Sequence, residues 1–186
     1  MYPVGLLWDN DFLKRFIEKV SNLKFGNPED YSTQIGVVAK EDLAIKLEKQ
    51  VHESLDMGAS VAYGNKRDKA FYQPTVLTNI SQEMPVFTEE TFGPVAPILK
   101  VKDKEEAYRL AAKTRFGLGT MIFTEDTEDA FERIGDIEDG AFFINEMVKS
   151  DPRLPFGGTK ASGYGRELSK EGILEFVNKK TVYIKK

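Results

Sequence analysis

The chain has 186 residues, 41% hydrophobic and 30% charged, with a formal net charge of −4 and a pI near 5.3. That balance suits a globular domain with its own core and argues against nucleic acid or an anionic membrane as the main partner. There is no cysteine and one histidine, His52, which excludes disulfides, thiolate metal sites, thiol catalysis and a zinc site of several imidazoles within these residues.

The expected location is the cytoplasm. No apolar run approaches the roughly 20 residues that cross a bilayer. The apolar start, residues 1–7, has no basic region before it and is cut short by Asp9 and Asp11, unlike a secretory signal. Phe12, Leu13, Phe16, Ile17, Val20 and Leu23 then recur at helical spacing, which predicts an amphipathic helix ending before Gly26-Asn27-Pro28. Trp8, Phe12 and Phe16 read as core or interface. Leu43, Leu47, Val51 and Leu55 predict a second helix closed by Gly58, with His52 on it as a packed or solvated residue. Val61-Ala62-Tyr63 and Thr75-Val76-Leu77 read as short strands, and residues 95–101 as a stronger one. Asp103 is placed to cap a helix through about Ala112, with Glu106 as the other half of a capping box.

Gly117-Leu118-Gly119 is expected to turn into a strand over 120–123. Thr127 opens a helix through about Ile134, and Gly140 leads into a strand over 141–144. Residues 145–167 form a long polar, glycine-rich segment, either disordered or, given Leu154, Phe156 and Tyr164, an ordered wrapped loop. A short helix over 168–176 and a final strand over 181–185 complete the chain. Glu167, Glu171 and Glu175 repeat every four residues, the pattern of a solvated helix face. Alternating helices and strands favour an α/β fold with a mostly parallel sheet and packed helices.

Three stretches invite functional readings. The glycines between 157 and 165 resemble a phosphate cradle only superficially, because their spacing fits neither the dinucleotide fingerprint nor the P-loop; a set of turns is the simpler reading. Glu89-Glu90-Thr91-Phe92-Gly93-Pro94-Val95 combines an acid pair, an aromatic and a rigid turn. A carboxylate there can accept both hydroxyls of a ribose and an aromatic edge can confine a flat ring. The alternative is a solvated acidic turn before a strand. Lys149-Ser150-Asp151-Pro152-Arg153 is suited to an anionic substrate end, or equally to a surface turn.

Several blocks, in order, resemble the C-terminal part of the aldehyde dehydrogenase family. They are Gln73-Pro74-Thr75-Val76-Leu77, Met84-Pro85-Val86, Glu89 to Val95, Phe116-Gly117-Leu118-Gly119, Phe143-Ile144-Asn145, the run from Pro155 to Glu167, Glu175-Phe176-Val177-Asn178 and Lys180-Thr181-Val182. The resemblance runs from about Trp8 to Ile184, and Ser150-Asp151-Pro152-Arg153 looks like the branch that includes succinate-semialdehyde dehydrogenases. It implies an aldehyde dehydrogenase catalytic-domain-like α/β fold, with residues 1–178 a partial catalytic domain and 179–186 the strand of an oligomerisation arm.

In that family an aldehyde is oxidised to the acid with NAD or NADP, through a cysteine thiolate and a thioester that a glutamate-activated water hydrolyses. The nucleophile, the base, the oxyanion asparagine and most of the cofactor domain have no counterpart here, so no catalytic residue and no metal ligand is assigned. By resemblance Glu90 matches the glutamate on the nicotinamide ribose and Phe92 the aromatic beside the nicotinamide. Phe156 matches a pocket wall, and Ser150 falls in the substrate-end loop. Ala112, where the family often has asparagine, is one departure; the poor match over 1–7 is another.

The resulting expectation is the C-terminal portion of an NAD(P)-dependent aldehyde dehydrogenase, inactive alone, with weak or no cofactor binding. A truncation or a split gene would account for the missing half. The expected partner is a separately encoded N-terminal piece or further copies of the chain, with no nucleic acid and no membrane. The alternative is a non-enzymatic assembly or regulatory module, or a remnant, that oligomerises through its last strand.

Overall fold

The computed structural model describes residues 5–7 and 10–186; Trp8 lies outside them. By its contacts the chain divides into two compact units, Met1–Ala107 and Tyr108–Lys186.

The first unit runs β1 (Gly5–Leu7), α1 (Asn10–Ser21), α2 (Glu41–Asp56), β2 (Ser60–Tyr63), β3 (Arg67–Asp68), β4 (Phe71–Tyr72), β5 (Thr75–Thr78), α3 (Pro85–Thr88) and β6 (Val95–Lys100), and ends inside α4 (Lys104–Ala112). Its sheet has the order β1-β6-β5-β2; both pairings of β6 are parallel, and β2 adds an antiparallel edge. Buried Pro97 sits in the middle of β6, where a missing N–H ought to break a ladder. The pairing explains it: β5 meets only Val95, Ala96 and Pro97, and β1 meets only Ile98, Leu99 and Lys100. Among the described residues, no position of β6 is paired on both sides.

The predicted α2 stripe is realised. Leu47 and Val51 join Ala59, Tyr72, Leu77, Met84, Val86 and Val95 in one buried cluster, with Leu55 partly buried against it. Burying each large aliphatic side chain contributes about 1.5–3 kcal/mol. The β3–β4 hairpin is tied to α2 by Arg67, whose Nε donates to Glu48 at 2.8 Å. The α1 stripe forms too, but its face is only half covered. Phe12 and Phe16 stack on each other with centroids 5.6 Å apart, and Phe12 stays exposed.

At α4 the Asp103 cap forms as expected, while the return bond of Glu106 is taken by the amide one residue before the cap. The Glu106 amide donates to Asp103 Oδ1 at 2.8 Å, and the Lys102 amide donates back to Glu106 Oε2 at 2.9 Å.

The second unit contains β7 (Phe116–Gly117), β8 (Thr120–Ile122), α5 (Thr127–Glu132), a 3-10 turn (Ile134–Asp136), β9 (Phe142–Ile144), β10 (Thr159–Lys160) and α6 (Ser169–Leu174). β8 and β9 are parallel, and β10 pairs antiparallel with β7. The cap of α5 is Asp126, which accepts from the Asp129 amide. Asn145, at φ 55°, clamps the start of the next segment: its amide side chain accepts from Thr124 N and donates to Thr124 O, both at 2.8 Å.

The segment 145–167 is an ordered loop. Phe156 and Glu167 exchange backbone hydrogen bonds of 2.8 and 2.7 Å, and Arg166 donates to the carbonyls of Gly158 and Gly165. The apolar side chains expected to hold it do less, since Leu154 and Tyr164 are exposed. Gly157 and Gly158 are there for close approach, and Gly163 and Gly165 for positive φ of 120° and 82°. A Cβ on Gly140 would overlap the Gly157 carbonyl, and backbone cannot swing aside as a side chain can.

The final strand expected over 181–185 is not formed. Those residues have no ladder partner within the described chain, and Val182, Tyr183 and Ile184 are 72%, 83% and 79% exposed. β-prone residues need a neighbouring strand to satisfy their backbone, and propensity alone does not supply one.

Candidate functional site

In the first unit, the segment between α3 and β6 carries Glu90 and Phe92. It is strapped across α2 by tight local bonds. The Glu89 amide donates to the Pro85 carbonyl at 2.9 Å, the Gly93 amide to Thr91 O at 2.7 Å and the Val95 amide to Gly93 O at 2.8 Å. Gly93 lets the strap lie flat, because a Cβ there would run into the core side chain of Leu47.

A polar seam on α2 holds the strap from below. Gln50, 4% exposed, donates from Nε2 to Glu89 Oε2 at 2.9 Å and to the Glu90 carbonyl at 3.2 Å. One turn further, the fully buried Ser54 hydroxyl donates to Gln50 O at 2.8 Å and accepts from the Val86 amide at 3.2 Å. Neither residue stands out in the sequence, because single polar positions next to Val51 and Leu55 look like the flank of an apolar stripe. Their i, i+4 spacing was the signal available.

Beside the strap lies an open cavity of about 360 Å³ lined by Val38, Ala39, Leu43, Thr91, Phe92 and Gly93. Phe92 is 72% exposed at its rim. Thr91 is buried, and its Oγ1 has no hydrogen-bond partner among the described residues. Glu90 is half-buried and lies one residue before the lining. Apolar walls, a rim aromatic, an orphaned buried hydroxyl and a neighbouring carboxylate fit a flat ring carrying a hydroxylated sugar.

In the second unit, Ser150 is exposed and Phe156 half-buried, its backbone pinned to Glu167. The charges around Ser150 are paired locally. Lys149 reaches Glu146 at 2.8 Å, and Arg153 grips Asp151 with contacts of 2.6 and 2.9 Å. The Arg153 bonds hold the Asp151 carboxyl far below the usual carboxylate range, and Lys149 does the same more mildly for Glu146. An anionic substrate end would therefore compete with carboxylates already in place. His52 is exposed on α2. Among the described residues no cluster of acids and histidine is arranged for a metal ion, and no helix is long and apolar enough to cross a membrane.

Residues 7–182 match the aldehyde dehydrogenase family, and the chain belongs to it. Among its relatives is a succinate-semialdehyde dehydrogenase [NADP(+)] 1 from Mycobacterium bovis, 45% identical over 178 residues, 94% of this chain and 39% of that protein. Among solved structures, the succinic semialdehyde dehydrogenase of Streptococcus pyogenes, solved in complex with NADP+, superposes with a TM-score of 0.87 at 36% identity. That match covers 94% of this chain and 40% of the other. Betaine aldehyde dehydrogenase from Staphylococcus aureus, solved with NAD+, gives 0.85 at 32% identity, over 90% and 35% of the two chains. The α/β fold is thus that of the family, and the 186 residues span about two fifths of the length of these relatives.

Proposed function

We propose that this chain is the part of an NAD(P)-dependent aldehyde dehydrogenase that closes over the nicotinamide end of the cofactor and one side of the substrate entrance. The observation that carries this reading is the strap: Phe92 stands uncovered at the rim of a cavity while a buried amide fixes the turn of its neighbour Glu90. Glu90 would hold the nicotinamide ribose and Phe92 would confine the ring. The bound dinucleotide would supply the hydride acceptor. Ser150 and Phe156 would border the substrate, and the semialdehydes of the relatives named above are the first aldehydes to try.

Residues 1–186 hold no thiol, so the nucleophile and its base must come from sequence outside them, in the same or another chain. By themselves these residues would not turn over aldehyde. They would bind dinucleotide weakly, since one acid and one aromatic replace neither phosphate nor adenosine contacts. The test is to mix the chain with the cysteine-bearing N-terminal piece of a succinate-semialdehyde dehydrogenase and follow aldehyde-dependent NAD(P)H formation. Activity is expected only in the mixture; a well-folded, associated mixture that stays inactive refutes the reading.

A second reading, an assembly module, draws on the tail. Residues 181–185 are β-prone, exposed and unpaired within the chain, as a strand offered to another subunit would be.

A further inference from the structure

We propose that Gln50 is a positioning residue: its single amide group sets the conformation of the turn 89–92 and, through it, where Glu90 and Phe92 sit. Gln50 is 4% exposed on the face of α2 that also supplies Leu47 and Val51 to the core. A buried amide in that place costs stability unless its hydrogens are satisfied. They are satisfied by the Glu89 carboxylate at 2.9 Å and the Glu90 carbonyl at 3.2 Å. These two acceptors belong to consecutive residues, so the bonds constrain both the side chain of one and the peptide plane of the next. Ser54 fixes the other end of the strap at Val86 N. Helix α2 therefore holds the segment 86–90 at two points, and Thr91, Phe92 and Gly93, which line one side of the cavity, follow directly after the second.

A glutamine whose role was only to fill space would be replaceable by leucine, which has nearly the same volume. The hydrogen bonds say otherwise. Leucine would leave the Glu90 carbonyl without this donor and release the Glu89 carboxylate, while the apolar cluster below stays intact. Glutamate would set two carboxylates against each other and also remove the donor to the carbonyl. The pair Gln50→Glu with Glu89→Gln restores a side-chain bond in the reverse direction, from residue 89 to residue 50.

The link from Gln50 to the turn stands on geometry alone; the link from the turn to the cofactor rests on the function proposed above. The two are read separately. Amide hydrogen exchange on the full chain reports the turn through the amides of Glu89, Gly93 and Val95, each in a local hydrogen bond. Gln50→Leu is expected to speed their exchange on the order of tenfold, the loss of one charge-assisted bond, while protection in β5 persists. Gln50→Glu is expected to loosen the turn further, and the swapped pair to recover part of the protection. Unchanged exchange at these amides, an equal rise across β5 and β6, or no recovery in the swapped pair overturns the proposal. Should Gln50→Leu not fold, the comparison of Gln50→Glu with the swapped pair decides by the same criteria.

In the active mixture with the cysteine-bearing piece, Gln50→Leu is expected to raise KM for NAD(P) about tenfold and leave KM for the aldehyde in place. An unchanged cofactor KM in an active mixture, with the turn loosened, removes the link to the cofactor. A wild-type mixture without activity sinks the proposed function and leaves the exchange result to judge Gln50.

Discussion

Ser54→Ala isolates the other anchor of the strap, and its cost can be worked from the geometry. Helix α3 begins with Met84 as its flanking residue, whose side chain makes no cap, and Pro85, which has no N–H. The first amide in need of a partner is therefore that of Val86, and it finds one on a different helix, at Ser54 Oγ 3.2 Å away. Alanine removes two bonds of unequal worth. The Gln50 carbonyl accepts from Ser54 Oγ, but as a mid-helix carbonyl it faces the amide four residues on, so losing the hydroxyl costs little. The buried Val86 amide would be left without a partner, at about 1–3 kcal/mol. Higher helix propensity of alanine returns roughly 0.5 kcal/mol. A net loss of about 0.5–2.5 kcal/mol follows, or a fall in Tm of roughly 2 °C or more for a unit of this size. Urea denaturation followed by far-UV circular dichroism measures it, with the exposed Ser21→Ala on α1 as a control expected within about 0.5 kcal/mol of wild type. A Ser54→Ala chain as stable as wild type, at equal m-value, would show that Val86 N–H has another partner and that α3 is not capped from α2.

Gly140→Ala places a methyl where the Gly157 carbonyl lies and should destabilise the second unit by at least about 3 kcal/mol; thermal melts with near-ultraviolet dichroism test this, and an ordinary melt refutes it. Burial pushes the Asp139 carboxyl above its ordinary value, against hydrogen bonds from Thr120 and the charge of Lys160. A folded-state pKa above the unfolded one means stability that is full below about pH 4 and declines as pH rises through the folded value. Asp139→Asn should flatten that decline in melts at stepped pH, and an identical slope in the variant would contradict it. Asp151 has the opposite sign: its depressed carboxyl favours the folded turn above the ordinary carboxylate pKa, and the turn loosens only as pH falls well below it. The NMR shift of the Arg153 Nε proton should therefore hold steady from pH 7 to 4. Removing residues 178–186 should leave the melting profile within about 0.5 kcal/mol, because these residues are exposed; sedimentation of the same variant separates the two functional readings, since the assembly module loses its oligomer.

What the sequence made legible was whatever repeats with a period or announces itself at an end. The stripe of Leu43, Leu47, Val51 and Leu55 predicted α2 within two residues, and Asp103 with Glu106 predicted the start of α4 and the bond that caps it. Two-residue strands such as β7 and β10 carry no period, so the pairing that holds residues 145–167 in order was invisible. The tail is the converse case: Thr181-Val182-Tyr183-Ile184 has the composition of a strand, but no ladder partner among the described residues. Of the site, Glu90 and Phe92 were visible as a motif in one turn. The amide beneath them was not, because a hydrogen bond between residues 40 apart leaves no mark on local sequence.

The way the second unit is stitched has a consequence for the order in which it can be made. Thr159 pairs with Gly117, 42 residues earlier, in the β10–β7 ladder, and Gly140 receives the backbone of Gly157. A chain leaving the ribosome therefore finishes β8 and β9 before it has synthesised what packs on their flank. Closing so long a loop precedes any reward from the contacts it allows. For those seconds the nascent strands are open to misassociation, and a chaperone would act most usefully in that interval.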